Sequence, residues 1–131
     1  MKKKKNNKGF TLVELLAVLV ILITILTIAI PSITASVERN KKNVFNKKID
    51  IIEAQAESFV NLYKNKFSDY SLFSSGSCCI DISDIEGVGL LNSDDLKDAD
   101  DKKIEGFVCY SDNEYKYFDA LSGSSSVCNI R

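Results

Sequence analysis

Residues 8–19 read KGFTLVELLAVL. A lysine and a glycine stand before an apolar run, and the run then holds one acid, Glu14. A carboxylate inside hydrocarbon is costly and is kept only where it does something. The run extends from Phe10 to Ile30 as FTLVELLAVLVILITILTIAI, 21 residues with that single charge. In a helix, at about 1.5 Å per residue, it covers about 31 Å, the hydrocarbon thickness of a bilayer. A secretory signal has a shorter apolar core, about 7–15 residues, and then a small-residue cleavage site. Ile33-Thr34-Ala35 offers only a weak site of that kind, and the helical pattern runs straight through it. The segment is therefore expected to stay as a membrane span.

Charge is distributed unevenly along the 131 residues, although the net value is only −1. Residues 1–9 hold five lysines and no acid, residues 38–66 carry a net +3, and residues 67–131 a net −8. The positive-inside rule keeps the lysine-rich leader in the cytoplasm and places the C-terminal portion outside. That acidic portion repels nucleic acid, so no direct nucleic-acid site is expected. Arg39, Lys41, Lys42, Lys47 and Lys48 follow the apolar run. They fit either contact with anionic lipid headgroups or a solvated helix face. Histidine is absent, which removes the commonest general base and metal ligand. With no nucleophile–base pair and no glycine-rich phosphate loop, neither an enzyme nor a cofactor is expected.

Lys8-Gly9-Phe10-Thr11-Leu12-Val13-Glu14-Leu15 resembles the processing motif of bacterial type IV prepilins, the precursors of pilins and pseudopilins. The resemblance is specific over about residues 1–35 and only architectural beyond them. It implies that residues 1–9 are a prepilin leader, removed by a prepilin peptidase that cuts between Gly9 and Phe10. Phe10 is then N-methylated, and the mature net charge becomes −6. Residues 10–30 would anchor the precursor in the inner membrane and later form the filament core. Glu14 would face the new α-amino group of a neighbouring subunit during assembly. Pro31, just past the run, kinks the helix by removing one backbone hydrogen bond. A proline near this position, with local melting on assembly, is frequent in the resembled family, and Thr24 and Thr27 are placed to soften the same region.

Past Pro31 the pattern turns amphipathic. Ile33, Val37, Val44, Ile52, Ala56, Phe59 and Tyr63 recur at helical spacing, flanked by Ile49 and Val60. The helix is expected to run on through residues 31–66 and to end between Lys64 and Phe67. Counted from Phe10 it would be about 80 Å long at about 1.5 Å per residue. A dimeric coiled coil is disfavoured, because regular a/d apolar pairs do not persist.

Residues 67–131 read as a small acidic head. The expected elements are a serine-rich loop at 68–77, an extended Cys78–Ile82, and a short helix or turn over Ser83–Leu91 capped by Ser83. A loop at Asn92–Asp101 follows, and then strands Ile104–Ser111 and Glu114–Leu121 about an Asp112-Asn113 turn. Ser126–Ile130 adds a third strand. The fold class is α+β, pilin-like, with one long N-terminal helix packed on a small antiparallel sheet. Cys78, Cys79, Cys109 and Cys128 make an even set in the segment placed outside, which favours disulfides. Excluding a bridge between the neighbours Cys78 and Cys79 leaves two pairings, each joining them to Cys109 and Cys128. Zinc is disfavoured, since there is no C-x-x-C and no histidine. Asp94, Asp95, Asp98, Asp100 and Asp101 lack the order of a calcium-binding EF-hand and read as a solvated loop. No metal site is expected.

The resemblance thus implies a structural subunit, major or minor, of a type IV pilus. The alternative is a pseudopilin of a type II secretion or DNA-uptake machine. Its partners would be other pilin subunits, the prepilin peptidase, and the pilus assembly platform with its ATPase. The precursor would sit in the cytoplasmic membrane and the mature subunit in a surface filament, head outside.

Overall fold

The structure is a computed structural model and describes Lys3, residues 8–67 and residues 69–130. Residues 1, 2 and 4–7 of the expected leader, residue 68 of the expected serine-rich loop, and residue 131 lie outside the described residues. The chain divides into two units, Met1–Arg39 and Asn40–Arg131, and its longest element, α1 (Leu12–Tyr63), begins in the first and ends in the second.

In the first unit every large apolar side chain of the run is at least half exposed, from Phe10 at 87% to Leu22 at 50%. Hydrogen bonding here is internal. The Thr24 and Thr27 hydroxyls donate to the carbonyls of Ile21 and Thr24 at 2.7 and 2.8 Å. Thr34 donates to Pro31 O at 3.0 Å. Such bonds leave no hydroxyl unsatisfied in an apolar solvent. Pro31 lies inside α1, which continues as helix through it. Among the described residues α1 is the one helix long and apolar enough to cross a membrane.

In the second unit Ile52, Ala56, Phe59 and Val60 of α1 are buried, spaced so that they share one helix face. The apolar stripe expected from the sequence is covered only over this part. Ile33, Val37 and Val44 remain exposed, and cover begins with the partly buried Phe45 and Ile49. After α1 a 3₁₀ turn (Lys64–Lys66) leads to α2 (Tyr70–Ser74), β1 (Cys78–Asp81) and α3 (Ile82–Gly87). Strands β2 (Phe107–Ser111), β3 (Glu114–Phe118) and β4 (Ser126–Val127) complete the unit.

The four strands lie in the order β3-β2-β1-β4. β1, β2 and β3 are antiparallel neighbours, as expected, with Ile80 opposite Val108 and Val108 opposite Tyr117. The sheet as a whole is mixed, however, because β4 runs parallel to β1. The last segment does not extend the hairpin. It crosses to the far edge, where Cys128 N donates to Cys79 O at 2.8 Å. Asp112 and Asn113 both have positive φ, 54° and 64°, which matches the right-handed twist of the hairpin they close.

Two local expectations need correcting. The serine-rich stretch at 68–77 is not simply a loop, because it contains α2. The Asp69 carboxylate caps that helix by accepting from Ser71 N at 3.0 Å, while Phe73 is driven into the core at 1% exposure. The Ser71 hydroxyl also donates to this carboxylate and is the main cause of an Asp69 pKa below the ordinary value. The helix after β1 is capped by Asp81 rather than Ser83. Asp81 accepts from Ser83 N at 2.8 Å, and the helix ends at Gly87 instead of reaching Leu91. An aspartate one residue ahead of an extended-to-helical switch is the stronger acceptor for the first free amides.

The acidic segment after α3 is ordered by its own backbone. Asp98 accepts from the amides of Asp100 and Lys102, both at 2.9 Å. It is also tied to α1, since Lys41 pairs with Asp100 at 2.6 Å and Lys48 donates to Asp94 O at 2.7 Å. Two of the five clustered bases thus have partners on the head, besides lipid or solvent. The four cysteines form Cys78–Cys128 and Cys79–Cys109. The adjacent residues Cys78 and Cys79 therefore join β1 both to β2 and to the segment after β4.

Candidate functional site at the start of the long helix

Lys8, Gly9 and Phe10 are non-helical and exposed, and the helix begins two residues later at Leu12. Thr11 and Glu14 set that start. The Glu14 carboxylate accepts from Thr11 N at 2.9 Å and from the Thr11 hydroxyl at 3.3 Å. In return Thr11 Oγ1 accepts from Glu14 N at 3.3 Å. This is a reciprocal capping box, in which each side chain satisfies an amide that the first helical turn leaves without a partner. The carboxylate also lies at the positive end of the helix dipole.

The capping role was readable in the sequence and was missed. Thr11-x-x-Glu14 is the S/T-x-x-E signature of a helix start, and it coincides with the motif considered for a different reason. Within a single chain, then, the lone acid of the apolar run is held by its own helix terminus.

Gly9 has no such local reason. A Cβ added there would meet nothing within 4 Å, and its backbone does not lie in the positive-φ region. Gly106 differs: it has φ +146°, and an added Cβ would clash with the Phe118 carbonyl. The fold itself explains a glycine at 106 and does not explain one at 9. Residues 10–18 also form an open apolar surface around Phe10, Glu14, Leu15 and Val18, with the Glu14 carboxylate set into it. Contiguous apolar surface of this extent marks an interface with lipid or protein.

The other sequence-predicted residues lie elsewhere. Pro31 is well inside α1, and the four cysteines are in the head unit. Among the described residues no three of Asp, Glu, Cys or His converge as a metal site.

Residues 4–30 match the protein family described as the prokaryotic N-terminal methylation motif. No curated protein and no solved structure matches the chain.

Proposed function

We infer that this chain, which carries the N-terminal hallmark of type IV pilins and pseudopilins, is the precursor of a structural subunit of a type IV pilus. Pilin-like precursors of this kind are processed by a prepilin peptidase and polymerise into filaments. The observation that carries the reading is the contrast at Gly9. The residue is exposed and non-helical, and the fold places no demand for glycine on it. A glycine that the fold does not need fits recognition by an agent that reads the segment from outside the chain. A peptidase cutting between Gly9 and Phe10 meets that description, and methylation of the Phe10 amine would follow the cut.

The reading also gives the exposed apolar helix two successive environments. Before assembly lipid covers residues 10–30. After it, the same surface packs on other copies, with Glu14 facing the N-terminal amine of a neighbour. The cytoplasmic leader, the outward-facing head, the assembly platform and its ATPase belong to the same proposal.

Intact-mass measurement of the protein from its native cells tests the processing. A chain beginning at Phe10 with one added methyl group is expected. A chain that still begins at Met1, or one that begins near Ser36, would overturn it. Electron microscopy of cells with and without the gene then tests the pilus reading. Surface filaments lost with the gene are expected. Unchanged filaments, together with a secretion or DNA-uptake defect, would make the protein a pseudopilin.

A further inference from the structure

We propose that the charged face of α1 is a contact surface for a second copy of this chain, packed parallel to the first and displaced along the helix by about 16 Å. The contact rests on the filament reading above and adds to it the register between neighbours.

Five bases follow the apolar run, and two of them, Lys41 and Lys48, are engaged by the acidic segment of the same chain. The other three, Arg39, Lys42 and Lys47, are exposed. Among the described residues these three make no hydrogen bond and no ion pair. The acids of α1 beyond them are Asp50, Glu53 and Glu57. Asp50 and Glu57 are exposed and equally without such a partner. Glu53 accepts from the Tyr117 amide through Oε1 and keeps Oε2 open.

The signs are thus sorted into a basic block and an acidic block. In a lone helix that order is unfavourable. Glu53 stands three residues from Asp50 and four from Glu57, and Arg39 stands three from Lys42. Like charges at these spacings destabilise a helix, whereas alternating signs support it. A partner that brings the opposite sign to each block relieves both repulsions.

The spacing identifies that partner. Glu53 lies eleven residues after Lys42, and Glu57 lies ten after Lys47. In sequence, Asp50 repeats the eleven-residue step from Arg39. One shift of ten or eleven residues, about 16 Å at about 1.5 Å per residue, therefore sets the bases of one copy beside the acids of the next. A lipid surface or a nucleic acid answers only the basic block, and a free cation only the acidic one. An antiparallel copy would match the same charges, with Lys47 opposite Asp50. The apolar run argues against it, because the same lysine-rich leader inserts every copy in one direction. Exposed ion pairs are individually weak. Their effect here is to fix register along apolar helices that by themselves can slide.

The test reverses charges in native cells. Filament yield is measured by shearing and gel densitometry, and the intact mass of the chain reports processing. Lys47→Glu and Glu57→Lys are each expected to lower the yield about tenfold, with normal cleavage. Circular dichroism of both purified chains should match that of the parent. The double variant Lys47→Glu/Glu57→Lys should regain most of the parental yield. These positions lie about 15 Å apart on one helix, beyond each other's reach within a chain, so recovery reports a contact between copies. Lys47→Glu/Asp50→Lys, which re-pairs an antiparallel contact, should stay low. Undiminished yield in the single variants, no recovery in the first double variant, or recovery in the second alone would each overturn the proposal. A parent strain without filaments would overturn the filament reading, and this contact with it.

Discussion

The Glu53 carboxylate accepts a hydrogen bond at 2.8 Å from the backbone amide of Tyr117, 64 residues further along the chain. β3 is an edge of the sheet, and an edge strand presents a row of amides without strand partners. Glu53 satisfies one of these from α1, so the contact fixes the helix on the sheet edge. A charge-assisted bond of this kind contributes about 1.5–3 kcal/mol. Glu53→Ala is therefore expected to lower stability by roughly 2 kcal/mol, read as a shifted urea midpoint. An unchanged midpoint would show that the bond is neutral against water.

The two disulfides close loops of 50 and 30 residues in sequence separation. Loop-closure entropy assigns each about 3–4 kcal/mol, with the longer loop ahead by about 0.4 kcal/mol. Removing either pair by double serine substitution should destabilise the head by similar amounts. Removing both should bring it near unfolding, because so small a core has little surplus stability. Urea titrations of the three variants measure this. A difference of several kcal/mol between the two single-bridge variants would contradict the entropic account.

Tyr115 gives a pH dependence of definite sign. Its phenol has an ordinary pKa of 10.0 and one of about 12 in the folded head, chiefly because of burial. The unfolded chain therefore releases this proton first as the pH rises. The contribution is fully present below pH 10, shrinks between 10 and about 12, and is gone above that. Burial also raises the pKa of Tyr117. Ultraviolet titration of the five tyrosines should show a late phase that loses amplitude in Tyr115→Phe. A single phase centred near the ordinary value would refute the shift.

The long helix and the hairpin were legible because their signals are local and redundant. An apolar run of 21 residues admits few structures, and Asp112-Asn113 between alternating segments specifies a tight turn. The direction of β4 was not legible. Pairing between β1 and β4 is decided by where residues 119–125 carry the chain, and no period in the sequence encodes that path. α2 was hidden by its serines, which favour turns until a capping aspartate and a buried phenylalanine outweigh them. The partners of Lys41 and Lys48 were equally invisible, since a base on a helix face says nothing of an acidic loop some fifty residues away. At the N-terminal site the motif stood out, but the use of Glu14 within its own helix did not.

Gly9 separates recognition from folding. Nothing lies within 4 Å of an added Cβ, so Gly9→Val should leave the helix start and the head as they are. Under the proposed processing it should also leave the leader attached. Expected together are an unchanged urea midpoint and an intact mass that retains residues 1–9. A Gly9→Val chain that is still shortened to Phe10 would mean that the cut is not read through this glycine.

Glu14 has two uses that a pair of substitutions can tell apart. As the capping-box partner of Thr11 it stabilises the first turn, an effect of about 0.5–2 kcal/mol for such caps. As an assembly contact it would offset the amine that cleavage creates on Phe10, and leaving one charge of a buried pair alone is costly. Glu14→Gln keeps the side-chain acceptor and the capping geometry but removes the charge, whereas Glu14→Ala removes both. If capping is the whole role, Glu14→Gln should assemble like the parent. If the charge is needed, both variants should be cleaved normally and yield few filaments. The second outcome is expected, with filament yield measured by shearing and gel densitometry. Normal yield from Glu14→Gln would reduce the lone acid of the apolar run to a helix cap.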